Sequence, residues 1–475
     1  MIKPLNPFVN AEQIDRVYMA QSNYQSFAKA STAKSRIQLL SQLEKAILKY
    51  RKDIERALFL DLGKHAIESD YAEIFSSLSE LRHIQAHLKK WMHPLPVRNN
   101  LLFFGTNSYI LSEPKGKTLI ISPWNYPFQL PIVHLAASVA AGNTVILKPS
   151  EFAVHTNIIL KKIIESVFST EHVSVLEGAV EETTKLLSLK FDHIHFTGSS
   201  AVGKIVMQAA AKQLCAVTLE LGGKSPLFMD KQVPLRKTIK NIIWAKFMNA
   251  GQTCIAPDYL LVDEQLKLEF IQIFQEEIKL AFGAHASQSS DYPRIINEKQ
   301  LDRLIQLLEE AQDLGAEILY GGQVLKEQLY MEPTLIEPQV YTGQLMQQEI
   351  FGPILPVIFY ERLKHALDLV QQQEKPLACY IFSEDKKYIN QVIDQTSAGS
   401  TCVNDAVIQI LHPNLPFSGV NHSGIGQSMG IFGFQDFSHQ RAIVQSSPWL
   451  RMSSFFWYPY TKGTQKIVDW LMKWF

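Results

Sequence analysis

Of the four cysteines in the 475-residue chain, Cys215, Cys254, Cys379 and Cys402, Cys254 stands in the segment best suited to reaction. It lies in Gly251-Gln252-Thr253-Cys254-Ile255-Ala256-Pro257-Asp258, a glycine-led loop just ahead of an apolar run. A nucleophilic thiol needs an approachable backbone and a lowered pKa, and a loop held by a rigid sheet gives the approach. The competing reading is a small buried hydrophobe, as most free cysteines are. Glu220 closes the run Val217-Thr218-Leu219-Glu220-Leu221 directly before Gly222-Gly223. Shielded by two leucines at the mouth of a sheet, its carboxyl should be raised toward the range of a general base; a solvated strand-end glutamate would look the same. In Pro123-Trp124-Asn125-Tyr126-Pro127, two prolines stiffen the backbone around an amide that could stabilise an oxyanion, although a turn asparagine is as ordinary there.

Other segments offer binding groups. Phe196-Thr197-Gly198-Ser199-Ser200-Ala201-Val202-Gly203-Lys204 reads as strand, glycine, then helix, and a helix N-terminus attracts phosphate. It departs from G-x-G-x-x-G at Ser200 and is not a P-loop, so a tight strand–helix junction would read alike. Lys148 and Glu151 follow the strand run Thr144–Leu147, where a carboxylate could bind ribose hydroxyls or, with Ser150, cap a helix. Glu349, in Glu349-Ile350-Phe351-Gly352-Pro353, is a third acid in a turn. His193 and His195 share a strand face but lack cysteine or acid neighbours at ligand spacing, which argues against a metal site.

The elements that must position these groups change in kind along the chain. Ile37, Leu40, Leu43, Ile47, Tyr50, Ile54 and Leu58 recur at steps of three or four, predicting one long amphipathic helix, with more helix to about Trp91. Strand character then appears at Leu101–Ser112, Lys117–Ser122, Thr144–Leu147, Val173–Leu176, His193–Phe196 and Val217–Leu219, alternating with helices as in a parallel, doubly wound sheet. A second α/β stretch holds strands at Tyr259–Val262, Glu317–Leu319, Leu355–Phe359 and Leu377–Phe382, with helices at Glu264–Phe282 and Glu298–Leu314. Pro413–Gly433 is too rich in glycine for a regular element, and strand character resumes at Phe437–Gln445.

Composition bounds the rest. Lys+Arg 46 against Asp+Glu 46 leaves no basic field for nucleic acid, and 46% hydrophobic residues lie outside the disordered range. The scattered cysteines suit a reducing compartment, and the N-terminal stretch lacks the pattern of a secretory signal, so a cytoplasmic protein is expected. Four of the seven tryptophans, Trp449, Trp457, Trp470 and Trp474, crowd the last 27 residues. Thr464 to Phe475 reads as an amphipathic helix with Ile467, Val468, Leu471, Trp474 and Phe475 on one face. It is too short to span a bilayer, and it suits either docking on the protein or peripheral contact with a membrane.

Taken in order, PWNYP, KPSE, FTGS, ELGGKSP, GQTC, EIFGP and PFSGVNHSGIG resemble the motifs of the aldehyde dehydrogenase superfamily, over roughly Ala11 to Ser447. The short front end, GQTCIAPDYLLV and the VNDA run at Val403–Ala406 are similar to the class 3 branch, which includes fatty-aldehyde, aromatic-aldehyde and coniferyl-aldehyde enzymes. The resemblance implies an α/β fold with a Rossmann-like cofactor domain (1–96 and 117–221), a catalytic domain (222–430), a β oligomerisation arm (97–116 and 431–452) and the tail 453–475. It implies NAD, with NADP possible, a homodimer, and an aldehyde substrate, aliphatic or aromatic. Cys254 would be the nucleophile, Glu220 the general base, and Asn125 part of the oxyanion hole. Lys148 and Glu151 would hold the adenosine ribose, Gly198, Ser199 and Gly203 the pyrophosphate region, Glu349 and Phe351 the nicotinamide end, and Trp124 would line the pocket beside the cofactor. Ser418 and Asn421 stand where many relatives have glycine. The alternative readings are a non-catalytic member of the fold and an acylating reductase using the same cysteine.

Overall fold

The computed structural model describes residues 8–449 and 451–474. Its first sheet runs in the order Gly424–Ile425, Ala216–Glu220, His193–Thr197, Lys117–Ile121, Thr144–Lys148, Val173–Val175. Gly424–Ile425 is antiparallel to its neighbour and the other pairings are parallel. From the central strand Lys117–Ile121 the chain steps outward through Thr144–Lys148 to Val173–Val175, then returns to the opposite side at His193–Thr197. The strand order therefore reverses beside Lys117–Ile121, and such a reversal opens a crevice at the carboxyl ends of the strands.

A second sheet has seven strands in the order Glu317–Tyr320, Thr334–Glu337, Ile354–Tyr360, Tyr259–Asp263, Pro226–Met229, Ala378–Phe382, Ser400–Val403. Only its edge strand Glu317–Tyr320 is antiparallel to its neighbour. The third sheet is an antiparallel set of Leu95–Pro96, Thr106–Pro114 and Ser438–Ser446, joining segments far apart in sequence. The two α/β stretches and the two arm segments thus form the expected α/β architecture.

The long helix expected over Ile37–Leu58 is two helices, Ala33–Lys49 and Arg51–Leu62, broken at Tyr50 with φ −97° and ψ 13°. Leu40, Leu43, Ile47, Ile54 and Leu58 are all fully buried across the break. Periodicity reports which face is covered, and a one-residue interruption between two helices preserves it. Ser150 and Glu151 do not cap the next helix. Val154–Glu165 starts later, and the Asp61 carboxylate accepts from the His155 and Thr156 N–H groups at 3.0 and 2.7 Å. Within Pro413–Gly433, expected to be irregular, a short helix, Gly430–Asp436, begins.

Gln129–Ala141 is the helix on which the cysteine loop's partner segment rests, and every residue of it is buried. A helix buried on every side, largely apolar all round, belongs in the centre of a protein. Its N-terminus is held by Glu73, whose Oε2 accepts from the N–H groups of Phe128 and Gln129 at 2.9 and 3.0 Å. The other oxygen meets Lys64 Nζ at 2.5 Å, with both side chains wholly buried. Glu73→Ala should strand the Lys64 ammonium and leave two N–H groups without a partner, at a cost of about 3–5 kcal/mol. Thermal or denaturant unfolding of this variant, with Glu73→Gln alongside, measures that loss.

Candidate active site

The cysteine loop is shaped by its backbone. After the helix Leu235–Phe247, which the sequence pattern did not reveal, Asn249, Ala250 and Gly251 turn with φ of 52°, 52° and 75°. A Cβ on Gly251 would sit 2.3 Å from the Gly352 carbonyl oxygen, so only glycine fits against the Glu349–Pro353 turn. Asn249 Nδ2 donates to the carbonyls of Asn125 and Gln252 at 2.8 and 3.1 Å. Gln252 Nε2 donates to Asn249 O and Arg294 O, and its Oε1 accepts from Ile296 N–H. Asn125 Nδ2 donates to Gln252 O at 3.0 Å, and the Tyr126 and Thr253 hydroxyls are 2.8 Å apart. The loop of Cys254 and the Pro123–Pro127 segment are thereby one hydrogen-bonded unit. An amide carries two N–H donors, and the bond to Gln252 uses one. Asn249 and Gln252 carry this framework; their only sequence signal was proximity to Cys254.

Cys254 and Glu220 line the same funnel, about 1030 Å³ with its open mouth included. Tyr71, Trp244, Val407, Ile410, Leu411 and Phe417 give it apolar walls. The Cys254 thiol is pushed up, not lowered as expected, first by burial and then by the charges of Glu349 and Glu220. Glu220 is corrected in the opposite direction. Burial would raise its carboxyl, yet His134 and His195 outweigh that and hold it well below the ordinary carboxylate range. Its Oε2 lies 3.3 Å from His134 Nε2 and 3.8 Å from His195 Nε2, and also accepts from Thr197 Oγ1 at 3.2 Å. Its Oε1 accepts from Ser428 Oγ, a residue of the glycine-rich segment that sequence reasoning passed over. His195 itself is pushed down to about 4 by burial and by the charge of His134. The expected lack of acid neighbours around His193 and His195 does not hold, since His193 Nε2 is 3.2 Å from Asp436 and His195 faces Glu220. Both acids come from other elements, invisible to local spacing.

The remaining candidates gather around the crevice of the first sheet. Lys148 ends its strand with Nζ 3.3 Å from Glu151 Oε2, and burial pulls its ammonium below the usual range. Ser199 caps the helix Ser200–Ala211, and a Cβ on Gly198 would meet the Phe196 ring at 2.6 Å. Gly203 permits close packing of that helix, since a Cβ there would come within 2.7 Å of Leu221. Glu349 rests on Gly222, whose Cβ would fall 2.0 Å from its Oε2, and it accepts from the Gly223 N–H. Burial and Asp258 push the Glu349 carboxyl up to about 8. Phe351 has φ 48° and meets Trp124 edge to face at 5.3 Å; Trp124 is not among the residues lining the funnel. A serine-capped helix N-terminus next to a glycine, a lysine–carboxylate pair and a strand-order reversal on one edge fit the pyrophosphate and ribose of a dinucleotide.

Fold and site together define a dinucleotide-dependent α/β oxidoreductase of the cysteine-bearing type. The aldehyde dehydrogenase family model matches residues 7–443, and the chain belongs to that family, whose members oxidise aldehydes with NAD or NADP. It is 41% identical to 4,4'-diaponeurosporen-aldehyde dehydrogenase of Staphylococcus aureus, over 90% of this chain and 92% of that protein. It is 40% identical to aldehyde dehydrogenase family 3 member A2 of Macaca fascicularis, over 92% of this chain and 88% of the relative. It is 41% identical to the rat dimeric, NADP-preferring aldehyde dehydrogenase, over 91% and 94% of the two chains. The substrate-bound structure of Staphylococcus aureus AldH superposes with a TM-score of 0.92 at 39% identity, covering 96% of this chain and 99% of that one.

Because burial and two carboxylates hold the thiol up, alkylation of Cys254 by iodoacetamide in the free protein should keep rising well past about pH 8.5, where a free cysteine is half ionised. Glu349→Gln should accelerate it above pH about 8, where the native carboxyl is charged. Each pKa unit removed from the thiol is about tenfold in thiolate. Peptide-resolved labelling rates across pH check both expectations.

Proposed function

We propose that the protein oxidises apolar aldehydes to carboxylic acids through a thioester on Cys254, with Glu220 activating water for its hydrolysis. The observation that carries this reading is that Cys254 and Glu220 open on one apolar funnel while Asn125 is tied to the cysteine loop. Cys254 gives up its proton to solvent in the funnel, its Sγ attacks the aldehyde carbon, and the carbonyl electrons move onto oxygen. The second N–H of Asn125 and the Cys254 backbone N–H stabilise that alkoxide. Bound NAD or NADP would supply the hydride acceptor. Lys148 and Glu151 would hold its ribose, Gly198, Ser199 and the helix beginning near Gly203 its pyrophosphate, and Glu349 and Phe351, with Trp124 behind, its nicotinamide end. Glu220 then takes a proton from water as the water oxygen attacks the thioester carbon, the C–S bond breaks to release the acid, and the departing thiolate recovers that proton to return the thiol. The neighbouring His134 and His195 favour the carboxylate form of Glu220, the form that accepts a proton, and in doing so make it a weaker base than an ordinary carboxylate.

The funnel walls favour medium or long aliphatic or aromatic aldehydes, and a relative named for 4,4'-diaponeurosporen-aldehyde supports a large apolar substrate. The three larger sheets follow a division into a cofactor domain, a catalytic domain and an arm, except that Leu95–Pro96 pairs with the arm strands and Gly424–Ile425 with the cofactor-domain sheet. The arm exposes Leu95, Val97, Phe104 and Val444, which suits a homodimer, as does a relative named dimeric.

Among the described residues no helix is long and apolar enough to cross a membrane. Lys462–Trp474 forms the expected amphipathic helix, with Ile467, Val468 and Leu471 half-buried and Met472 and Trp474 exposed; Phe475 lies outside the described residues. Trp457, Tyr458 and Tyr460 before it are also exposed, and aromatic rings of this kind favour the headgroup region. The tail is thus read as an interfacial foot.

Cys254→Ala should abolish aldehyde-dependent NADH formation. Glu220→Gln should release about one NADH per site in a burst and then turn over about 100- to 10,000-fold more slowly, the usual loss of a general base; normal steady turnover by that variant would sink the role given to Glu220. Deleting the residues after Tyr460 should reduce co-sedimentation with anionic liposomes, and unchanged partitioning would reject the membrane role.

A further inference from the structure

Three charged side chains from the N-terminal helical region, Lys64, Glu68 and Glu73, are buried behind the cysteine loop. Glu68 directly precedes the π-helical turn Ser69–Phe75, in which Glu73 lies. Such turns bond residues five apart and occur frequently at functional sites. Glu73 is engaged through both oxygens, by Lys64 and by the N–H groups of Phe128 and Gln129. Glu68 is not. Its Oε1 accepts from the Asn249 main-chain N–H at 2.9 Å, its one hydrogen bond among the described residues.

Asn249 is fully buried and lies in the left-handed region, φ 52°, where a residue with a side chain stays only if its surroundings hold it. Its Nδ2 donates both to Asn125 O and to Gln252 O, and Gln252 O is also the acceptor of Asn125 Nδ2. One amide thus braces Asn125 at its main chain and at its side chain. Lys64 Nζ makes a longer contact with the same Asn125 carbonyl, at 3.4 Å.

On its other side Glu68 lines a separate groove, about 1250 Å³ with its open mouth included, which shares only Tyr71, Trp244 and Met248 with the funnel. A proton can therefore reach Glu68 while the funnel is occupied. The groove's other charged groups face one another, Lys240 with Glu277 at 3.4 Å and His65 with Asp291 at 3.9 Å. Tyr71 and Tyr126 feel the Glu68 charge from the funnel side. Burial pushes the Glu68 carboxyl up to about 7, against the Lys64 charge and the Asn249 N–H and together with the charge of Glu73. A hydrogen bond to an ionised acceptor is roughly twice as strong as one to a neutral acceptor. The hold on Asn249 tightens as pH rises through that value.

We propose that Glu68 is a positioning residue for thioester formation: its carboxylate fixes Asn249 and, through Asn249, the Asn125 amide that meets the alkoxide. This inference rests on the reading of Asn125 as an oxyanion donor. The test is the rate of the NADH burst across pH in the full-length enzyme. The native rate should rise through about pH 7 and again past about pH 8.5 as the thiol ionises. Glu68→Gln is isosteric and keeps an acceptor without the charge, so the step near pH 7 should vanish and leave the rate above it about five- to tenfold low. Half-saturation of the burst by aldehyde should not change, because Glu68 is outside the funnel. Alkylation of Cys254 by iodoacetamide forms no oxyanion and should match the native rate at each pH, which also shows that the loop is folded. In Asn249→Gly, where glycine suits the backbone, Glu68→Gln should have no further effect. The proposal is overturned if the step near pH 7 survives in Glu68→Gln, if alkylation slows in parallel with the burst, or if Glu68→Gln keeps its full effect on top of Asn249→Gly. An unchanged burst in Asn125→Ala overturns the oxyanion reading itself. A slowed burst in Asn125→Ala beside a native pH profile in Glu68→Gln overturns the role of Glu68 alone.

Discussion

The parallel register of the first sheet is the constraint on which the site depends. Ile121 pairs with Lys148 and with Phe196, and Thr197 pairs with Glu220, so the strands end level on one edge. The residues at and just beyond each strand's carboxyl end are therefore neighbours of those on the adjacent strands: Pro123–Pro127, Lys148–Glu151, Gly198–Ser199 and Glu220. Parallel strands require crossovers, and the crossover Gln129–Ala141 is wholly buried because it lies between layers. Its buried N-terminus needs a charged partner, which Glu73 supplies together with Lys64. The second sheet contributes the cysteine loop, and hydrogen bonds from Asn249, Asn125 and Gln252 join the two halves of the site.

Burial acts on every ionisable group of the site, but its outcome differs with the neighbours. Cys254 and Glu349 sit among other acids, so desolvation and like charge act together and both are pushed up. Glu220 is as deeply buried, and two imidazoles reverse the sign. One carboxyl is thereby kept ionised while another near the same thiol is held toward its neutral form. Two carboxyls in one small volume are thus shifted in opposite directions by their own neighbours, and the charge of each acts against a thiolate on Cys254.

How far the site could be read before folding is clearest in particular residues. Cys254, Glu220 and Asn125 were legible because each sits at a strand end or in a glycine-led turn, where backbone type and side-chain chemistry coincide. The helices up to about Trp91 were legible as a buried stripe, but the break at Tyr50 was not, because three-to-four spacing survives it. Asp61 as the cap of Val154–Glu165, Ser428 on Glu220 and Asp436 on His193 left no local trace. Each acts on a residue tens to hundreds of positions away. The pKa expectations failed for the same reason: the shielding leucines flank Glu220 in sequence, whereas His134 reaches it only through packing.

The amino-acid sequence by itself determined the alternation of strands and helices, the placement of the reactive residue types at strand ends, and the aromatic amphipathic tail. These come from periodicity, turn chemistry and motif order, which are properties of short segments. Tertiary structure alone decided the charge state of Glu220, the joining of the cysteine loop to Asn125, and the convergence of two histidines on one carboxylate. Electrostatic interactions and buried hydrogen bonds depend on distance through space, and no segment carries the positions of its partners.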